Sequence, residues 1–346
     1  MKLTTLDLDR FCVFKKAEMT FSPGINVFIG ANATGKSHLM KLLYSIVKTK
    51  RDCNGGEAAN SEFGARLAQK LASVFRPDGG AIGRLVHRTA GKSNATIRLS
   101  ADHGEAYFTI TTQGKLSLGQ ETLPKPDSSV FIPSREALAM FEGFVKAYEE
   151  RELSFDETDR DLCVALSGTP LRGPRLDAAK ILAAPLESIL GGRVVLDGGR
   201  FYLASAQGNL EAHLLSEGMR KMGSLLHLIV NGSLIKNGFL FWDEPEASLN
   251  PQLVTQVVDT LRQLAAFGVQ VFVASHDYLL TQHLALAPKP GQPSTPMRFF
   301  CLSRDSAGAV LVDQGDTISA LAKNPILDEF AKYYDRQRES FGQAPE

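Results

Sequence analysis

The run Gly30-Ala31-Asn32-Ala33-Thr34-Gly35-Lys36-Ser37 places two glycines, a lysine and a hydroxyl at G-x-x-x-x-G-K-S spacing. That spacing lets backbone N–H groups curl around the phosphates of a nucleoside triphosphate. Lys36 would reach the β- and γ-phosphates, and the Ser37 hydroxyl would ligate Mg²⁺. Far downstream, Phe239-Leu240-Phe241-Trp242-Asp243-Glu244-Pro245 is an apolar run that ends in adjacent carboxylates. Asp243 is suited to contact Mg²⁺, and Glu244 to orient or deprotonate an attacking water. A second apolar run, Val271-Phe272-Val273-Ala274, ends in Ser275-His276-Asp277. His276 there could donate to a γ-phosphate and sense its presence. The chemistry these residues imply together is ATP hydrolysis with Mg²⁺ as cofactor. Its ATP-binding set is Gly30, Asn32, Ala33, Thr34, Gly35, Lys36, Ser37 and His38.

Such a loop works only between a strand and a helix. Ile25–Ile29 is a short apolar run behind Pro23-Gly24, and His38–Val47 repeats apolar residues at helical spacing. Gly30 and Gly35 let the backbone approach phosphate without a Cβ clash, and the helix N-terminus adds partial positive charge. Upstream, strands are expected near Thr4–Leu8 and Cys12–Phe14. A polar loop at 55–60 leads to a helix near Ser61–Phe75, broken by Pro77-Asp78-Gly79-Gly80. Ala95–Leu99, Ala106–Thr112 and Lys115–Leu118 read as an antiparallel meander, with a tight turn at Gln113-Gly114. Gly91-Lys92-Ser93 repeats part of the phosphate-loop pattern, but Val86 stands where the first glycine belongs, so this reads as a turn.

Val130–Ile132 is another short strand, stopped by Pro133. From Arg135 to about Ile189 the pattern is helical and partly acidic, notably in Glu149-Glu150-Arg151-Glu152 and Asp156–Asp159. Arg193–Leu196 and Arg200–Ala204 read as a hairpin through Asp197-Gly198-Gly199. A helix should run from Ser216 to Val230, with Ser216 as N-cap, and another over Pro251–Phe267. The tail carries strands near Phe299–Leu302 and Val310–Val312, then an amphipathic helix near Pro325–Arg338. The expected fold is α/β, with an ATPase core, an antiparallel β meander and an inserted helical subdomain. Its divisions are 1–134, the phosphate-loop lobe; 135–190, the helical insertion; and 191–346, the lobe with the two acids and His276.

The 346 residues are 44% hydrophobic, enough for a substantial core. No run reaches the length of a membrane span. The start alternates too early, in Leu6-Asp7-Leu8-Asp9-Arg10, for a signal peptide. A cytoplasmic protein with no membrane partner is expected. Cys12, Cys53, Cys163 and Cys301 are scattered without a C-x-x-C pair, which leaves zinc unsupported and reduced thiols expected. Net charge is zero, yet residues 1–100 hold 16 Lys+Arg against 7 Asp+Glu. That basic part could face ATP, DNA or an acidic partner surface.

The order of these motifs resembles ABC-type ATPase heads of the branch shared by SMC and RecF proteins: phosphate loop, Ser-x-Gly helix start, strand-Asp-Glu-Pro, strand-Ser-His. Phe21-Ser22-Pro23-Gly24-Ile25-Asn26-Val27 is similar to the opening of that branch. Phe241–Pro251 and Val130-Phe131-Ile132-Pro133-Ser134-Arg135-Glu136 are similar to stand-alone AAA-type ATPases often found with bacterial phage-defence genes. The resemblance implies that two heads sandwich two ATP molecules. Gly35, Lys36 and Ser37 would bind nucleotide in one head. Ser216, Glu217 and Gly218 would form the signature that caps the γ-phosphate from the other, with the D-loop residues Ser248 and Asn250 at the seam.

Departures from the pattern shape the expectation. Glu217 stands where transporter heads carry glycine, and Met219 where they carry glutamine. No glutamine follows Val130–Ile132, where related heads have one; Ser134, Arg135 or Glu136 take that place. No long coiled coil is present, and the 70 residues after His276 are too few for a C-terminal nuclease domain, so effector chemistry is expected in a separate protein. The function expected is an ATP-driven dimeric, or larger, switch that controls a partner effector in anti-phage defence. The alternative is a RecF-like DNA-repair clamp, and a transporter's nucleotide-binding subunit ranks below both.

Overall fold

The computed structural model describes residues 1–53, 59–150, 153–288, 290–291 and 293–342. The expected polar loop at 55–60 lies mostly outside them, as do Arg151 and Glu152 of the acidic run.

Two sheets enclose the phosphate-loop helix. The first is antiparallel, in the order β2-β1-β4-β5-β6, from β1 (Leu3–Phe11), β2 (Phe14–Thr20), β4 (Asn94–Ala101), β5 (Glu105–Thr111) and β6 (Leu116–Glu121). The second has the order β14-β13-β3-β12-β11-β7. Its strands are β3 (Ile25–Gly30), β7 (Ser129–Ile132), β11 (Phe239–Asp243), β12 (Gln270–Ser275), β13 (Met297–Arg304) and β14 (Val310–Gly315). All are parallel except β14, which pairs antiparallel at the edge. Buried on both faces, β3 and β12 read as continuous apolar runs.

The strict period of two splits those strands between two cores. Phe28, Phe241, Phe272 and Phe300 face one way, packing with α1 (Lys36–Asp52), α2 (Ala59–Phe75) and the antiparallel sheet. Their rings form a ladder, with 5.0 Å between the centroids of Phe241 and Phe272. Ile25, Val27, Ile29, Leu240, Trp242, Val271 and Val273 face the other way. There they meet α6 (Glu217–Val230), α7 (Pro251–Phe267) and α8 (Tyr278–Ala285).

Between β7 and β8 the chain forms α3 (Phe144–Glu149), α4 (Glu157–Leu166) and α5 (Pro174–Leu190). A small antiparallel sheet follows, β10-β9-β8, from β8 (Arg193–Asp197), β9 (Arg200–Ser205) and β10 (Gly208–Glu211). Helix α9 (Pro325–Gly342) ends the described chain.

One expectation needs correction. The strand expected at Cys12–Phe14 is instead the turn between β1 and β2, with Arg10 and Cys12 at φ 54° and 49°. The consecutive exposed Lys15 and Lys16 mask the alternation of the real strand, Phe14–Thr20. The antiparallel meander of β4, β5 and β6 forms as expected and extends the β1–β2 hairpin, with Leu6 opposite Leu99. Strand β10 and helix α8 were not anticipated. Gly91-Lys92-Ser93 lies in an exposed turn before β4, as expected.

The four cysteines are free, and burial pushes the Cys12 and Cys163 thiols up to about 12. Among the described residues no helix is long and apolar enough to cross a membrane.

Candidate functional site

Parallel strands β3, β12 and β11 lie side by side, with Ser275 opposite Ile29 and Asp243 opposite Ala274. Their C-terminal ends therefore release the phosphate loop, His276 and the two acids along one edge. The loop is closed by backbone shapes that only its residues allow. Gly30 and Gly35 have φ 145° and 100°; a Cβ at Gly30 would stand 2.2 Å from the Leu302 carbonyl, and one at Gly35 2.6 Å from Val13. Ala33, at φ 59°, is strained for a residue with a side chain. Arg304, on β13, donates to the Ala33 carbonyl at 2.6 Å and steadies that turn. Thr34 closes it further, donating to the Ala31 carbonyl at 2.8 Å.

Lys36 is buried and folded back on the loop, donating to the Gly30 carbonyl at 2.7 Å and the Ala31 carbonyl at 3.1 Å. Burial lowers its pKa against the raising pull of Glu244, Asp243 and Glu246. Ser37 is exposed at the helix start, and its hydroxyl hydrogen-bonds the Asp243 carboxylate. Burial raises the Asp243 pKa, while the Ser37 bond works in the opposite direction. Asn32 is exposed. His38 points its ring at Phe75, 5.9 Å between centroids, and burial lowers its pKa. A hydroxyl and a carboxylate at this spot form an oxygen donor set that fits a hard cation such as Mg²⁺.

Glu244 adopts φ 49°, and its N–H donates to the Ala274 carbonyl at 2.8 Å. One carboxylate oxygen lies 3.1 Å from His276 Nδ1, and both side chains are partly open to solvent. Behind them Glu246 is buried. Its carboxylate accepts from the Ser275 hydroxyl at 2.7 Å and from the His276 N–H at 3.3 Å, and burial raises its pKa.

Helix α6 starts where expected. Ser216 Oγ accepts from the Met219 N–H at 3.4 Å, and Ser216 and Glu217 are exposed. Gly218 is buried against the loop after Glu244: a Cβ there would stand 2.9 Å from the Ser248 carbonyl. Ser248 is itself at φ 64°. Asn250 caps α7, accepting from the Leu253 N–H at 2.9 Å.

Lys221 escaped the reading of the sequence. Fully buried on α6, it donates to the Glu244 carbonyl at 3.1 Å and the Ala247 carbonyl at 2.9 Å, and burial lowers its pKa. Its signal was present: a lysine on the apolar stripe of Gly218, Met222 and Leu225. Arg304 and Lys41 also went unflagged. Lys41 pairs at 2.6 Å with Asp156, which caps α4, and no local pattern in the sequence marks either contact.

The structure thus assembles Lys36, Ser37, Asp243, Glu244 and His276 at one sheet edge and leaves Ser216 and Glu217 on an outer surface. This is a constellation suited to holding and hydrolysing a nucleoside triphosphate.

Comparison with known proteins narrows the class. Residues 1–115 match the family model described as "AAA ATPase domain", and residues 113–281 match that described as "AAA domain, putative AbiEii toxin, Type IV TA system". The DNA replication and repair protein RecF of Lactobacillus gasseri is 30% identical over 117 residues, 34% of this chain and 28% of that protein. RecF of Macrococcus caseolyticus is 42% identical over 50 residues, 14% of each chain. The chain thus spans well under half the length of the curated relatives it matches. An SMC head solved bound to the C-winged helix domain of ScpA is similar in fold. It has TM-score 0.58 and 14% identity, and the match covers 92% of this chain and 99% of that one. The SMC head domain with an extended coiled coil, bound to a ScpA domain from Pyrococcus furiosus, has TM-score 0.52 at 14% identity, covering 97% and 99%. The family matches agree on an ATPase domain, and the likeness to the SMC heads shows a shared fold.

Proposed function

We propose that this protein is a cytosolic, ATP-driven dimeric switch that controls a separately encoded effector in bacterial anti-phage defence. The observation that carries the reading is the gathering of Lys36, Ser37, Asp243, Glu244 and His276 at the ends of three adjoining parallel strands, with Ser216 and Glu217 left exposed for a second head.

In this reading the phosphate loop wraps the triphosphate of ATP, and Lys36 exchanges its loop carbonyls for phosphate oxygens. Ser37 and Asp243 would hold Mg²⁺, which when bound neutralises charge on the β- and γ-phosphate oxygens. Glu244 takes the proton of the attacking water, and the His276 contact at 3.1 Å aims its carboxylate. Ser216 and Gly218 of a partner head close over the γ-phosphate, and Ser248 and Asn250 lie at the seam. The Lys221 contacts support coupling between the two ends, because one buried ammonium ties the signature helix to the backbone of Glu244 and of the loop after it.

The match to a model whose description names a toxin and a Type IV TA system supports a defence setting. The neighbouring SMC head was solved with a ScpA domain attached, and supports the idea that a head of this fold carries a second protein. The likeness to RecF and the basic excess of residues 1–100 favour a DNA clamp as the second reading.

The decisive material is Glu244→Gln, which should bind Mg-ATP, turn it over about 10²–10³-fold more slowly and accumulate as dimers or larger assemblies by light scattering. Adding Ser216→Arg should return it to monomers with ATP still bound; assemblies that survive that change defeat the two-head reading. Tagged Glu244→Gln recovered from its native host with a nuclease or toxin in fixed ratio supports the switch. Recovery with DNA alone, and ATPase stimulation by DNA that falls steeply with salt, would support the clamp instead.

A further inference from the structure

Strand β7 runs parallel to β11, from Ser129 opposite Phe239 to Ile132 opposite Trp242. The residues after Ile132 therefore emerge beside Asp243, at the γ-phosphate end of the site. In this chain they are Pro133, Ser134 and Arg135, without the glutamine that related heads carry there. A cavity of about 420 Å³ opens at this point, and Ser37, Asp243, Lys41, Arg135 and Asp159 are among its walls.

The cations around that cavity differ in their commitments. Lys41 is ion-paired with Asp156 at 2.6 Å. Arg76 donates to the Phe155 carbonyl at 2.5 Å. Arg135 forms no ion pair among the described residues. Its guanidinium is exposed and lies over the Phe155 ring, 5.8 Å from the centroid. Phe155 is itself packed edge-on against Phe144 at the start of α3. An aromatic platform beneath a guanidinium fixes its plane while leaving its N–H edge free. Arg135 acts on the carboxylate of Asp159 through its charge but, among the described residues, has no carboxylate in ion-pair contact. Its planar donor edge, at the wall that also holds Ser37 and Asp243, is therefore placed to meet an anion, which on the ATPase reading is the terminal phosphate of ATP.

We propose that Arg135 is a catalytic residue for ATP hydrolysis, donating to the γ-phosphoryl oxygens in place of the missing glutamine, with Phe155 as its positioning residue. The proposal rests on the ATPase reading. As the water oxygen bonds to the γ-phosphorus, the bond to the β-phosphate oxygen breaks, the proton passes to Glu244, and ADP and phosphate form. Arg135 transfers no proton; its fixed charge stabilises what accumulates on the phosphoryl oxygens.

Steady-state turnover, together with ATP affinity from a fluorescent ATP analogue, tests this on the whole chain. Arg135→Ala should lower kcat by about 10²-fold while affinity stays within about threefold. Arg135→Lys should recover part of the loss, since charge returns without the planar fork. Phe155→Ala should lower kcat by less than Arg135→Ala does, at unchanged affinity, and it keeps the proposal testable should Arg135→Ala fail to fold. Arg135→Ala with kcat within about twofold of wild type, or a loss in turnover matched by an equal loss in affinity, overturns the assignment. Wild-type protein without turnover would instead defeat the ATPase reading, and the role of Arg135 with it.

Discussion

The nucleotide edge of the six-stranded sheet and the segment from residue 135 to 215 are built on opposite terms. At the edge, β12 buries every residue, and three residues with side chains, Ala33, Glu244 and Ser248, sit at positive φ. In the segment, β10 exposes every residue and β8 buries none. Every described residue at positive φ there is a glycine. Strained backbone persists only where the surrounding packing over-determines it. The edge spends that rigidity on aiming a carboxylate and a phosphate loop. The segment uses relaxed turns and leaves Ile181 76% exposed on α5, a surface free to differ without disturbing the chemistry.

Lys36→Ala is the strongest way to break this contrast. It should reduce ATP affinity by at least about 10²-fold in equilibrium binding, with the fold intact by circular dichroism. Retained tight binding would mean that the rigid edge is not where ATP sits.

Lys70→Met probes the tie between the two regions. Lys70, on α2, pairs with Asp161 on α4, whose carboxylate also accepts from Tyr44 of α1 at 2.6 Å. Burial works to raise the Asp161 pKa, but the Lys70 charge and hydrogen bonds outweigh it and hold the group below its ordinary range. Removing the ammonium leaves a buried carboxylate without its main partner, so unfolding by denaturant should show a loss of about 3–5 kcal/mol. A loss below about 1 kcal/mol would show that α4 is only loosely joined to the head.

The smallest effect belongs to Ile181→Asp. It should change stability by no more than about 0.5 kcal/mol and leave ATP turnover unchanged. A larger loss of stability would mean that this face of α5 is covered in the assembled protein.

The same contrast explains what could be read from the sequence. Strands β3, β11 and β12 were legible because burial on both faces writes them as unbroken apolar runs, and helix α7 because Asn250-Pro251 opens it and Gly268 closes it. In the antiparallel lobe β1, β4, β5 and the start of β6 were legible but β2 was not, and neither was the assembly, since the pairing of β1 with β4 joins residues that no local pattern links. Gly208-Asn209-Leu210-Glu211 carries one apolar residue, so β10 left no alternation to detect. At the site, the motif residues were found by spacing. Arg304 at the Ala33 carbonyl and Arg135 over Phe155 are contacts that only folding makes.

Lys221 carries a further consequence. Its acceptors are two main-chain carbonyls, those of Glu244 and Ala247, rather than any side chain. The lysine therefore reads the shape of that loop and is indifferent to the letters that spell it. Replacing residues around Ala247 one at a time would leave the link in place, and it would break only where the lysine or the path of the backbone changes. Such a joint can be inherited through large drift in the loop's composition, and a search for paired charges would pass over it.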